Sequence, residues 1–87
     1  MKTRQVTVGN TLGLHERLAA QVAHVASSFT CSVSLAFKGR TANARNVVAV
    51  MLLAASMGGT ILIEANGPDE AEALDTLSSL IGDRSDR

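Results

Sequence analysis

Aromatic side chains are almost missing from this chain. Phe29 and Phe37 stand alone among 87 residues, with no Trp or Tyr. Any core must therefore be aliphatic, and nothing is offered on which nucleic-acid bases could stack. Charge of one sign is missing too: eight basic residues balance eight acidic ones, for a formal net charge of +0. That argues against a nucleic-acid partner, which would call for a basic face. Cys31 is the single cysteine, so an internal disulfide and a cysteine-built zinc site are excluded, and no metal is expected. No apolar run reaches the length of a bilayer span, and the first residues lack the charged-then-apolar order of a secretory signal. The expectation is a soluble protein in a reducing cytoplasm, with no membrane partner.

What is present is aliphatic periodicity. Apolar residues make up 46% of the chain, enough for a single domain over residues 1–87 with a modest core. Thr3 to Val8 reads as a strand with Val6 and Val8 on one face, and Gly9 to Leu14 as a loop. From Glu16 to Ser28, Leu18, Val22, Val25 and Ala26 recur at helical spacing, while Arg17, Ala20, Gln21 and His24 form an outward stripe. Cys31, Val33, Leu35 and Phe37 alternate with Ser32, Ser34 and Ala36, a half-buried antiparallel strand. Lys38-Gly39 signals a hairpin turn, and Arg40 to Ala44 a polar return strand.

Asn46 stands as the N-cap of a helix over Val47 to Met57, which Gly58-Gly59 ends. Thr60 to Ala65 is an apolar strand with Ile61 and Ile63 on one face, and Asn66-Gly67-Pro68 turns the chain. A last helix runs from about Asp69 to Ile81. Ala71, Leu74, Leu77 and Ile81 form its buried stripe, its first turn is acidic, and Gly82 ends it. Asp83 to Arg87 is read as a frayed tail. The order β-α-β-β-α-β-α predicts an α+β fold, a four-stranded antiparallel sheet covered on one face by three helices.

Gly13-Leu14-His15-Glu16-Arg17-Leu18-Ala19-Ala20 is the stretch with chemistry in it. His15 stands where a helix begins, beside backbone N–H groups that have no partner inside the helix and at the positive end of its dipole. Both favour negative charge on the ring. Arg17 adds a fixed cation with a fork of donors suited to phosphate. One reading makes His15 a helix cap with no chemistry. The other makes it a nucleophile that briefly carries a phosphoryl group, held by the backbone of Glu16 and Arg17 and by the Arg17 side chain. That chemistry needs no cofactor.

Over essentially its whole length the chain resembles the histidine-containing phosphocarrier, or HPr, family of the sugar phosphotransferase system. The resemblance rests on Gly13-Leu14-His15-x-Arg17-x-Ala19-Ala20, on Val50-Met51, on Gly58 before the fourth strand, and on Gly67-x-Asp69-Glu70. It implies an open-faced β-sandwich. It also implies transfer from phospho-Enzyme I to Nδ1 of the histidine, then onward to enzyme IIA proteins. Such a protein is a monomeric carrier with transient partners rather than a stand-alone catalyst.

Three positions depart from the family pattern. Leu18 replaces the usual proline and is read as core packing. Glu16 places a carboxylate beside the phosphoryl site, which would repel a bound phosphate. Asn46 stands where many members carry a serine that a kinase phosphorylates; it can cap the helix but cannot accept a phosphate on oxygen.

The apolar helix after Asn46 cannot bury all its side chains, and Val47, Val48 and Met51 are expected to dock partners together with Ala20, Gln21 and His24. Val50 and Leu53 are assigned to the core, as is Cys31. The alternative function is a regulatory protein of the nitrogen-related branch, which binds partners according to its phosphorylation state without driving sugar uptake.

Overall fold

A computed structural model describes residues 1–84. Its elements are β1 (Lys2–Thr7), α1 (Glu16–Ser27), β2 (Ser32–Phe37), β3 (Arg40–Asn43), α2 (Val47–Leu52), β4 (Thr60–Asn66) and α3 (Glu70–Gly82). The strands form one antiparallel sheet in the order β1-β4-β2-β3. The helices cover one face and leave the other open. Residues 85–87 of the expected tail lie outside the described residues.

Alternation in β2 and β4 sets which face is covered. Val33, Leu35 and Phe37 of β2 and Ile61, Ile63 and Ala65 of β4 are buried under the helices. The register pairs Leu35 with Ile63 on one side and with Ala42 on the other. Leu35, Ile61, Ile63, Leu77 and Ile81 are fully buried, each contributing about 1.5–3 kcal/mol by leaving water. The β2–β3 hairpin turns through Lys38 (φ 48°) and Gly39 (φ 81°), the paired left-handed conformations of a tight two-residue turn.

On α1 the buried residues are Leu18, Ala19, Val22, Ala23 and Ala26, while Val25 is half-buried at the margin. The small Ala19 and Ala23 let the helix sit close to its neighbours. Its C-terminal end is held by Arg45, whose Nε donates to the Ala26 carbonyl at 3.4 Å and whose Nη2 donates to those of Phe29 (2.7 Å) and Cys31 (3.2 Å). A cation beside the last carbonyls satisfies the acceptors the helix leaves over.

Two expected helices are corrected. α2 ends at Leu52, not Met57, and Gly58-Gly59 has no part in stopping it. Leu53 caps it and Ala54 takes a left-handed conformation (φ 55°). Ala54 supplies the stop: a left-handed residue directs the chain out of the helix, and the next carbonyl, that of Ala55, then accepts the Leu14 N–H at 2.9 Å. On α3 the buried stripe is Ala73, Leu74, Leu77 and Ile81; Ala71 faces solvent. Ala73 lies four residues before Leu77 and so shares its face.

Asp69 precedes α3 but makes no side-chain cap bond to it. Its carboxylate accepts instead from the Thr30 N–H at 2.8 Å and the Cys31 N–H at 2.9 Å, tying the α1–β2 connection to the start of α3. The Thr30 bond, with the Cys31 groups behind it, lowers the Asp69 pKa from 3.8 to about 2. A carboxyl whose folded pKa is depressed contributes stability above its unfolded pKa, and loses it as pH falls through the folded one. Asp69→Asn is therefore expected to unfold at lower denaturant than the parent at neutral pH. The gap should close as pH is lowered from about 4 to about 2, measured by urea unfolding at a series of pH values.

Candidate functional site

The loop leading to α1 is built from its own backbone and one amide. Asn10 is 8% exposed, the one buried polar residue among those described. Its Oδ1 accepts the Leu12 N–H at 2.8 Å and its carbonyl accepts the Gly13 N–H at 2.9 Å. Gly13 adopts φ 68°, and a β-carbon there would run into the Ala55 carbonyl oxygen. Only glycine fits both demands. Leu14 is buried, and its N–H donates to Ala55.

His15 follows as the N-cap of α1, with extended backbone (φ −78°, ψ 175°). Its carbonyl accepts the Ala19 N–H at 2.8 Å, the first bond of the helical ladder. Its Nδ1 accepts the Arg17 N–H at 3.2 Å. Nδ1 is thus an unprotonated acceptor aimed at the helix start, and the neutral ring carries its proton on Nε2. Nε2 is shielded from solvent and has no hydrogen-bond partner among the described residues. The ring lone pair that faces the helix start is therefore that of Nδ1, and the Arg17 N–H meets it.

Glu16 and Arg17 are both exposed in the first turn, and neither side chain has a hydrogen-bond or ion-pair partner among the described residues. Arg17 can reach an anion without first breaking a contact. Leu18 is buried, the packing role expected of it. Arg17, Ala20, Gln21 and His24 come together, with Val25 and Leu80, around an open groove of about 480 Å³. Its floor is apolar, with the Arg17 guanidinium at one end of the α1 stripe and the His24 imidazole at the other.

α2 packs against α1 and brings a second surface alongside. Val48 is 63% exposed and Met51 36%, while Val47 is half-buried; Val50 and Leu53 lie in the core. Asn46 caps this helix, its Oδ1 accepting the Ala49 N–H at 3.1 Å. Leu12, Leu52 and Met57 are more exposed than Met51, at 73%, 67% and 55%. Sequence reasoning passed over Leu12, although a leucine between Thr11 and Gly13 in a polar loop was the available signal. Cys31 is buried. Burial first, and then the Asp69 carboxylate, push its thiol above the ordinary range, which disfavours the nucleophilic thiolate.

The fold is an open-faced sandwich that sets an imidazole nitrogen at the start of a helix. The family described as "PTS HPr component phosphorylation site" matches residues 2–83. The phosphocarrier protein HPr of Cupriavidus necator is 42% identical over 84 residues, covering 97% of this chain and 94% of that protein. The phosphocarrier protein NPr of Shewanella violacea is 37% identical over 78 residues, covering 90% and 86%. The crystal structure of HPr from Bacillus anthracis superposes with a TM-score of 0.88 at 31% identity, covering 92% of this chain and 95% of that one. This chain belongs to the HPr phosphocarrier family.

Because the Asn10 side chain supplies the acceptor for the Leu12 N–H, Asn10→Ala, which keeps the backbone carbonyl that Gly13 bonds, is expected to destabilise the protein by about 1 kcal/mol. Denaturant unfolding measures that loss, and faster amide exchange at Leu12 and Gly13 would place it in the loop.

Proposed function

We propose that His15 accepts a phosphoryl group from phospho-Enzyme I on Nδ1 and passes it to enzyme IIA proteins. The observation that carries this reading is the Nδ1–Arg17 N–H bond. When Nδ1 attacks phosphorus, it gives up that N–H. The bond to the donor's leaving group breaks, and the freed N–H turns to a phosphoryl oxygen. Charge is thus neutralised where it develops, with little reorganisation. The Arg17 guanidinium adds a second contact. Onward transfer reverses the sequence: the P–N bond breaks and Nδ1 recovers its backbone donor. Both Enzyme I and enzyme IIA proteins would dock across Ala20, Gln21 and His24 on one side and Val47, Val48 and Met51 on the other. Interfaces of this kind belong at the small, transient end of the range.

The NPr relative at 37% identity favours a second reading, a nitrogen-branch regulator that uses the same phosphohistidine to select partners. Both readings share the chemistry at His15 and differ only in the acceptor. Asn46 removes serine-type regulation at that position under either.

Incubation with phosphoenolpyruvate and Enzyme I is expected to yield an acid-labile phosphate adduct by intact-mass measurement, absent in His15→Ala. A parent chain that stays unmodified while a control carrier is labelled would refute the proposal. Transfer onward to sugar-type against nitrogen-type enzyme IIA separates the two readings. Glu16→Ala is expected to raise the phosphohistidine lifetime or the transfer rate by a few-fold, the scale of ~1 kcal/mol for charges about 4 Å apart in water. The gain should shrink as salt is added. Unchanged lifetime and rate at low salt would remove Glu16 from the account.

A further inference from the structure

Ala54 ends α2 in a conformation that residues with a β-carbon adopt at a penalty and that glycine or asparagine take readily, with φ at 55°. It is exposed, so packing of its own side chain does not account for this. The consequence of the turn lies one residue on. Ala55 is directed inward, 3% exposed, and its carbonyl oxygen accepts the Leu14 N–H at 2.9 Å. Leu14 immediately precedes His15. Gly13 lies so close to the same segment that a β-carbon would come within 2.9 Å of Ser56 Cα.

The His15 ring is therefore located from two directions. Behind it, Nδ1 is bonded to the Arg17 N–H. Ahead of it, the chain is bonded to a carbonyl that the Ala54 turn presents. The Ala54 N–H donates in turn to the Met51 carbonyl at 3.0 Å, so the exposed end of α2 joins the histidine loop through a short, hydrogen-bonded link. Backbone strain held beside a reacting group, and over-determined by the surrounding bonds, is the form that preorganisation takes.

We infer that Ala54 is a positioning residue for His15: its left-handed turn aims the imidazole by presenting the Ala55 carbonyl to Leu14. Ala54 touches no phosphoryl oxygen in this role. The inference rests on His15 being the phosphoryl acceptor, and the test is arranged so that the two can fail separately.

Ala54→Gly and Ala54→Asn accept the left-handed turn, whereas Ala54→Val resists it through its branched β-carbon at an exposed position beside Phe37, Lys38, Arg40 and Leu53. In the full chain with no phosphoryl donor, the nitrogen resonances of the His15 ring across pH report its tautomer and setting. Exchange of the Leu14 amide reports the link. Transfer from phospho-Enzyme I is then resolved into kcat and KM. The glycine and asparagine chains are expected to keep the parent ring titration. The valine chain is expected to exchange the Leu14 amide faster, move the Nδ1 resonance, and lose about tenfold in kcat with KM changed by less than about twofold. Should the valine chain not fold, Ala54→Leu is read in the same way.

The inference is overturned if Leu14 exchange quickens while the ring resonances and kcat stay at the parent values. It is overturned equally if none of these moves. A chain that takes no phosphate at His15, yet whose ring titration follows the residue at position 54, defeats the carrier reading and supports the positioning role.

Discussion

The use of a histidine as a helix N-cap is the constraint from which the rest of this structure follows. Ser, Thr, Asp and Asn are the side chains that cap helices well, and α2 has one of them in Asn46. α1 instead begins on an imidazole whose single acceptor meets the Arg17 N–H at 3.2 Å, against 3.1 Å for the Asn46 cap. The rest of the helix is held by packing and by its far end. Leu18, Ala19, Val22, Ala23 and Ala26 bury one face completely, and Arg45 takes up the carbonyls at the far end. Stability has been moved away from the end where chemistry is proposed.

Small residues make that arrangement compact. With two phenylalanines for aromatics, the core closes by bringing backbones near one another. Gly9 lies against the carbonyl of Gly82 and donates to that of Ile81, so the end of α3 abuts the beginning of the His15 loop. Gly67 lies against Cys31, and Asp69 beside it bonds the N–H groups of Thr30 and Cys31. The connections on either side of α1 are thus tied to the two ends of α3. α1 can move little against the sheet without breaking one of these ties, which is what a positioned ring nitrogen requires.

Much of this was legible locally. The alternation from Cys31 to Phe37, the Lys38-Gly39 turn, and glycine followed by a helix-start histidine each announce themselves within a few residues. The parts that were not legible share one cause: the deciding partner is distant in sequence. Nothing between Asn46 and Gly59 says that Ala54 turns left-handed or that Ala55 then bonds to Leu14, so the apolar run there read as helix to its end. Asp69 looked like a complement to its own helix dipole, whereas its bonds reach back to Thr30 and Cys31. Ala71 and Ala73 are chemically identical, so hydrophobic contrast could not choose between them; only the geometry of the face does. The site itself was legible as a motif. Which nitrogen faces the helix start, and that the other is closed off, required coordinates.

On the proposed function, the two departures beside His15 act in opposite directions on a bound phosphoryl group. Glu16 sets a carboxylate in the first turn with no cation to neutralise it among the described residues. Leu18 keeps a backbone N–H that proline would remove, ahead of Ala19, where the helical ladder begins. The helix start therefore presents the N–H groups of Glu16, Arg17 and Leu18 against one added negative charge. A carrier has to hold its group firmly enough to travel and loosely enough to release it. Repulsion from Glu16 favours release; the extra donor favours holding. Since the carboxylate is exposed and the donor is fixed in the backbone, salt weakens the first and leaves the second nearly intact. The balance between keeping and passing the phosphoryl group should consequently depend on ionic strength in this chain more than in relatives with proline and a neutral residue at these positions.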